Sequence, residues 1–324
     1  MYPSETYCSF YACRAPRGDI KMILFQQMIA LFIFMLIGYG MSKKGVMDRK
    51  GEKTLSWIIV NVANPAMILQ SGLDSEIEPS ALARTFLYGA IMYTGLLVIA
   101  AVLPGLLRVG KDSRGVYRTM TVFSNIGFMG YPLIRAMYGA EALVHAGIFS
   151  FFYNALIYTY GVSCVRGKTQ QEEKPWKAMI NVGTISCVAA ILLLFLHFET
   201  PLFVESTVTN LANLTASLSM MVIGASLTAF PLRRLITDVR LLLFSAIKLL
   251  ILPILGILFF RQLETDPMKL GVLLVMLATP AGSMNTMLAQ QYDGDVDLSA
   301  RGVALTTILS VVTIPLVSWI CGIR

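Results

Sequence analysis

The chain has 324 residues, 56% of them hydrophobic and only 14% charged, with a formal net charge of +7 and a mean hydropathy of +0.68. Soluble domains carry about 25% charged residues. No soluble fold of this length buries so much apolar surface, so the composition excludes one and makes the bilayer the main solvent. The basic residues are not interleaved with aromatic ones, which excludes nucleic acid as a partner and fits basic loops on the cytoplasmic face of a membrane protein.

Residues 1–21 are polar and irregular, without the charged start, apolar stretch and cleavage site of a signal peptide. Met22-Ile23-Leu24-Phe25 reads as a natural start, so residues 1–21 are expected to be an N-terminal extension ahead of a misassigned start. About 20 apolar residues are needed to cross ~30 Å of hydrocarbon. Ten such helical segments are predicted, at 22–42, 53–72, 84–107, 115–138, 141–164, 178–198, 207–229, 238–260, 269–291 and 298–321. The polar stretch from Arg166 to Lys177 is the longest connection and divides them into two sets of five, at 22–164 and 178–324, with a linker at 165–177.

Lys and Arg gather in the loops after segments 1, 3, 5, 7 and 9, which hold 17 of them, against 8 on the opposite side with the termini included. The positive-inside rule then places both termini outside and the linker in the cytoplasm. The acidic loops, with Asp74, Glu76 and Glu78 and with Glu199 and Glu205, fall outside in that orientation. Five helices is an odd number, so two homologous halves would insert with opposite topology, the inverted-repeat plan of many secondary transporters.

Segments 4 and 9 are interrupted near their middles. In Asn125–Pro132, Gly127 and Gly130 weaken the helix and Pro132 removes a backbone donor. In segment 9, Pro280 and Gly282 do the same, beside Ser283 and Asn285. Aligning Tyr138-Gly139 with Tyr292-Asp293-Gly294 puts the two interruptions at matching depth. Unwound backbone survives at membrane depth only when buried in protein or lining a wet cavity. Paired breaks in corresponding helices therefore point to a transporter site, and the helix N-termini they expose favour an anion. A single proline would be read as a simple kink; two matched breaks, each with an Asn, are read as a site. Segment 2 adds Asn61 and Asn64-Pro65, as substrate contacts or as glue between helices.

Lys248 is the one basic residue well inside a segment, too central to snorkel easily, and an intramembrane charge marks function by default. It is expected to attract an anion or to hold the unwound segments by their carbonyls. No Asp or Glu lies in the middle of a segment, which disfavours an antiporter that binds its ion on a buried carboxylate. Glu141 and His145 are four residues apart and are expected to form a hydrogen-bonded structural pair. Cys8 and Cys13 have no further ligands nearby, and Cys164, Cys187 and Cys321 lie in or beside apolar runs, so neither a metal site nor a disulfide framework is expected. No nucleophile–base constellation and no phosphate loop is present, so no enzyme and no cofactor is expected.

These motifs together resemble the bacterial branch of the auxin efflux carrier family, with its malate permease-like transporters. The matching residues are Asn61-Val62-Ala63-Asn64-Pro65, Ser124-Asn125-Ile126-Gly127-Phe128-Met129-Gly130-Tyr131-Pro132, Val222-Ile223-Gly224-Ala225-Ser226-Leu227, Lys248 with Pro253, Pro280 to Asn285, and Thr307 to Leu316. The resemblance covers residues 22–324. It implies ten transmembrane helices in a 5+5 inverted repeat of the bile-acid symporter or sodium–proton antiporter type, with helices 4 and 9 broken where they cross. It also implies an elevator-like cycle, small organic anions such as malate or malonate as substrates, and a multi-pass place in the bacterial inner membrane. The crossing positions of the family fall on Asn125, Pro132, Pro280 and Asn285. The plant members carry a long cytoplasmic loop and a second proline near the helix 9 crossing, where this chain has a short linker and Asn285, so an auxin specificity is disfavoured.

The sequence thus reads as an all-α integral membrane protein, a secondary transporter of carboxylates. Substrate contacts are expected from Asn61, Asn64, Asn125, Gly127, Gly130, Pro132, Pro280, Gly282, Ser283 and Asn285, with Lys248 setting the field. The expected partners are a small organic anion and the bilayer, and a homodimer is compatible with the plan. Two rival readings are a receptor or sensor that keeps the fold without transport, and a sodium-coupled organic-anion symporter.

Overall fold

The computed structural model describes residues 20–73, 79–139, 141–165, 182–196, 200–229, 237–292 and 294–322. The N-terminal stretch 1–19 and most of the linker lie outside the described residues. The described residues are helical throughout, apart from short turns and a single backbone bridge between Ser124 and Ala281. In chain order the helices are α1 (Ile20–Lys43), α2 (49–73), α3 (Pro79–Leu106), α4 (Arg114–Val122), α5 (126–138), α6 (Glu141–Val165), α7 (Val182–Leu196) and α8 (Leu202–Ser226). They continue with α9 (Val239–Phe260), α10 (Pro267–Ala278), α11 (Met284–Gln291) and α12 (Val296–Ile320). Each predicted segment coincides with one helix or, for the fourth and ninth, with a pair of half-helices, α4/α5 and α10/α11. Among the described residues, five stretches, in α3, α6, α8, α9 and α12, are long and apolar enough to cross a membrane.

Three prolines leave the same mark. Pro65, Pro132 and Pro253 each follow a widened π-helical turn, at Ile59–Ala63, Ile126–Gly130 and Ile247–Ile251. In each, the N–H of the residue just before the proline bonds five residues back: Asn64 to Ile59, Tyr131 to Ile126, Leu252 to Ile247. The cause is steric. A proline ring clashes with the carbonyl four residues earlier and offers it no donor, so the helix widens and releases that carbonyl. For Pro132 the released carbonyl is that of Phe128, and Ser219 Oγ of α8 donates to it at 3.0 Å.

The helices form two groups. α1, α2, α7 and α8 pack on one another, and α3–α6 pack with α9–α12. Small residues set the closest crossing of the first group. A Cβ on Gly224 of α8 would lie 1.8 Å from the Met35 carbonyl oxygen, and one on Gly38 of α1 would lie 1.9 Å from that of Met221. The backbones therefore touch, as close helix association in lipid favours.

In the second group the turn between α9 and α10 is fixed by Glu264. Its carboxylate accepts the N–H groups of Thr265 and Asp266 at 2.9 and 3.0 Å and the Tyr88 hydroxyl at 3.2 Å, and it lies 3.6 Å from Lys269 Nζ. Burial pushes its pKa up, but these backbone donors, Lys269 and Tyr88 together hold it below the usual carboxylate value. His145 does not pair with Glu141 as expected. Its ring Nδ1 lies 2.7 Å from Thr85 Oγ1 of α3, buried, while Glu141 at the start of α6 is exposed. The i,i+4 spacing put the two on one face, but the neighbouring helix offered the imidazole a buried partner, and Glu141 stays at the surface.

Candidate functional site

The two breaks meet. α4 ends at Val122, and Phe123, Ser124 and Asn125 lie outside the helix before α5 begins. α10 ends at Ala278, and Thr279 after it has a ψ of 145°, the extended conformation favoured before a proline. The two unwound strips pair antiparallel: Asn125 N–H donates to the Pro280 carbonyl at 2.7 Å, and Gly282 N–H to the Phe123 carbonyl at 2.9 Å. Unwound backbone thus satisfies its own polar groups across the crossing. Gly282 suits the close approach, since a Cβ would sit 3.1 Å from the Ser124 carbonyl oxygen and the strips would have to part by a few tenths of an ångström.

The position of the first break differs from the sequence expectation. Gly127, Gly130 and Pro132 stay helical, in a widened turn, and the unwound residues are Phe123–Asn125. Phe123 and Ser124 carry no helix-breaking chemistry of their own. They leave the helix because the other chain segment supplies their hydrogen bonds.

Beside the crossing lies a cavity of about 180 Å³, smaller than the ~300–1,000 Å³ of drug-sized sites. It opens between the two helix groups. Asn61 and Asn64 of α2 line it from one side; Ser124, Asn125 and Gly127, with Gly282 and Ser283, line it from the other. The start of α5 and the start of α11 both face it, so two half-helices present their positive ends to one space. No carboxylate lines it among the described residues. Asn125 caps α5 with its side-chain oxygen on the Phe128 N–H at 3.3 Å. Its Nδ2, buried, has no partner among the described residues, and neither has the Asn64 side-chain oxygen. Asn61 Nδ2 is turned back onto the Trp57 carbonyl, 2.9 Å away.

The remaining residues singled out by sequence build the wall and do not line the cavity. Asn285 is fully buried, and its Nδ2 donates to both the Phe123 and the Gly282 carbonyls at 2.8 Å. It clamps the crossing from beneath. Pro280 supplies the carbonyl that Asn125 uses, Pro132 frees that of Phe128, and Gly130 packs against Thr279. Lys248 is fully buried behind Ser124, with Nζ 2.6 Å from Ser124 Oγ and 3.0 Å from the Thr121 carbonyl.

Among the lining residues not anticipated from the sequence are Tyr131 of α5, and Ser150, Tyr153 and Asn154 of α6. The Tyr131 hydroxyl donates to Ser150 Oγ. Ser150 and Asn154 are four apart in an otherwise apolar run, and that spacing was the available signal.

A family model described as "Membrane transport protein" matches residues 23–318. An "Uncharacterized transporter" of Methanocaldococcus jannaschii is 24% identical over 313 residues, covering 92% of this chain and 99% of that protein. A second "Uncharacterized transporter", of Methanothermobacter thermautotrophicus, is 25% identical over 297 residues, covering 90% of this chain and 96% of its own. A protein of Rhizobium meliloti named "Putative malonate transporter" is 23% identical over 299 residues, covering 88% of this chain and 92% of that protein.

Proposed function

Because the chain belongs to the membrane transport protein family, the auxin efflux carrier family that its motifs resemble, and is a transporter and not an enzyme, we propose that it is a secondary transporter of small organic anions, short carboxylates above all. The substrate binds in the cavity between the two helix groups and is carried by alternating access. The observation that carries this reading is the convergence of two half-helix N-termini and the unpartnered Asn125 Nδ2 on one cavity without a carboxylate among its described lining residues. The two half-helix ends favour an anion, and a carboxylate oxygen is the acceptor Asn125 Nδ2 lacks. The name of the Rhizobium meliloti relative is consistent with a dicarboxylate.

In this reading Asn125, Asn64 and Ser283 contact the carboxylate, and Asn61 lines the approach. The chain crosses the inner membrane ten times as two inverted sets of five, with both termini outside and the linker in the cytoplasm. The helices α3–α6 and α9–α12 move as one body against α1, α2, α7 and α8, which fits the cavity's place between the groups. A thermal-shift screen of the purified protein tests the substrate class. Short mono- and dicarboxylates are expected to raise its melting temperature, and uncharged amides of the same size are not. Stabilisation by the amides alone would overturn the anion reading.

A further inference from the structure

The break in α4 leaves one carbonyl in need of a donor. In a continuous helix the Thr121 carbonyl would accept the N–H of Asn125. That N–H is committed to the Pro280 carbonyl across the crossing. The Thr121 carbonyl, in the last turn of α4, is instead bonded by Lys248 Nζ at 3.0 Å. The same ammonium donates to Ser124 Oγ at 2.6 Å. Lys248 has no exposed surface, and no carboxylate lies within 4.0 Å of it among the described residues. Burying an unpaired cation is costly. Here the compensation comes from the negative end of a half-helix and from two charge-assisted hydrogen bonds.

Half-helix C-terminal ends and unwound carbonyls are where discontinuous-helix transporters hold a coupling sodium ion. We propose that the Lys248 ammonium is a tethered resident cation in such a place, so that this chain assembles its crossing without binding sodium. It acts as a positioning residue. It holds the end of α4 in the broken geometry, and it uses the Ser124 oxygen as an acceptor, which leaves the Ser124 hydroxyl hydrogen free to serve as a donor at the cavity that Ser124 lines. The wide π-turn Ile247–Ile251 and Pro253 beyond it belong to this device, because they carry Lys248 on the face of α9 turned to the crossing. The inference rests on the transport reading for its consequence in flux, but not for the site itself.

The test uses proteoliposomes and the detergent-purified protein. Wild-type uptake of labelled malonate is expected to be equal in sodium and in N-methylglucamine media. Lys248→Ala removes a propylammonium-sized group and is expected to lower uptake by about tenfold or more, the scale set by two buried acceptors losing a charged donor. Added n-propylammonium is expected to restore uptake by Lys248→Ala, and 1-propanol is not. The same amine is expected to raise the melting temperature of Lys248→Ala but not of the wild type, a readout that needs no substrate. If the wild type moves no carboxylate, the functional reading falls while the thermal rescue still judges the lysine site. If Lys248→Ala does not fold, Lys248→Met keeps the stem and loses the charge, and is expected to fold with the same loss of uptake. Sodium-dependent wild-type uptake, a fully active Lys248→Met, or equal effects of amine and alcohol on Lys248→Ala would each overturn the proposal.

Discussion

Asn285→Ala separates two roles that sequence alone runs together. The side-chain Nδ2 makes two bonds of 2.8 Å, to the Phe123 and Gly282 carbonyls. Both carbonyls keep a backbone donor, Gly282 N–H for the first and Asn285 N–H for the second, so neither is orphaned. The loss is therefore two net hydrogen bonds, about 2 kcal/mol together, plus about 1 kcal/mol for the small void left at a fully buried site. Removing the Asn285 Oδ1, which has no partner among the described residues, returns about 1 kcal/mol. The balance is a destabilisation of about 2 kcal/mol, or a fall in melting temperature on the order of 5 °C for a chain of this size. The assay is thermal unfolding of the purified variant with and without a carboxylate that stabilises the wild type. Asn285→Ala is expected to melt lower and to retain part of the ligand-induced rise. Asn125→Ala is expected to lose the rise altogether; its own melting temperature falls only by the lost cap on the Phe128 N–H, about 1 kcal/mol, because its Nδ2 has no partner to forfeit. An Asn285→Ala protein that melts like the wild type and has lost the ligand response would refute the clamp and make Asn285 a substrate ligand.

Gly224→Ala places a methyl group 1.8 Å from the Met35 carbonyl oxygen, where backbone meets backbone. It is expected to push α1 and α8 apart at a cost of about 3 kcal/mol or more, read as lower membrane yield and melting temperature, while Gly40→Ala, which meets nothing within 4 Å, is neutral. Ser219→Ala removes the donor that meets the Phe128 carbonyl released by Pro132 and is expected to cost about 1 kcal/mol in thermal unfolding. Glu264 has a lower proton affinity folded than unfolded, so its stabilisation is complete above the ordinary carboxylate pKa and is lost as pH falls through its lowered folded value. Unfolding measured from pH 7 downward is expected to show Glu264→Gln less stable at neutral pH and to show the gap closing in acid. A gap that is constant with pH would contradict the clasp.

The long apolar segments were legible because hydropathy over about 20 residues is a strong signal. Each coincides with a helix or a broken pair. The interruptions were legible as chemistry, since Pro280, Gly282 and Asn125 mark themselves. The exact unwinding was not. Phe123 and Ser124 leave the helix because Pro280–Gly282 pairs with them, a cause that lies more than 150 positions along the chain. The same limit hid the role of Asn285, expected as a substrate ligand and found spending its donor on the Phe123 and Gly282 carbonyls. For Lys248 a hold on the carbonyls of an unwound segment was one of two expected roles, and the fold shows which carbonyl it takes, that of Thr121. Ser150 and Asn154 were overlooked for a different reason. Single polar residues in an apolar helix are common, and their importance comes from facing the cavity.

The central claim, that an organic anion is carried through the cavity at the crossing, is tested most directly by counterflow. Purified protein in proteoliposomes loaded with unlabelled malonate is expected to accumulate external labelled malonate transiently, while protein-free liposomes and Asn125→Ala do not. A cooperatively folded wild-type protein that supports no counterflow of any short carboxylate, or an Asn125→Ala protein that matches the wild type, would contradict the account.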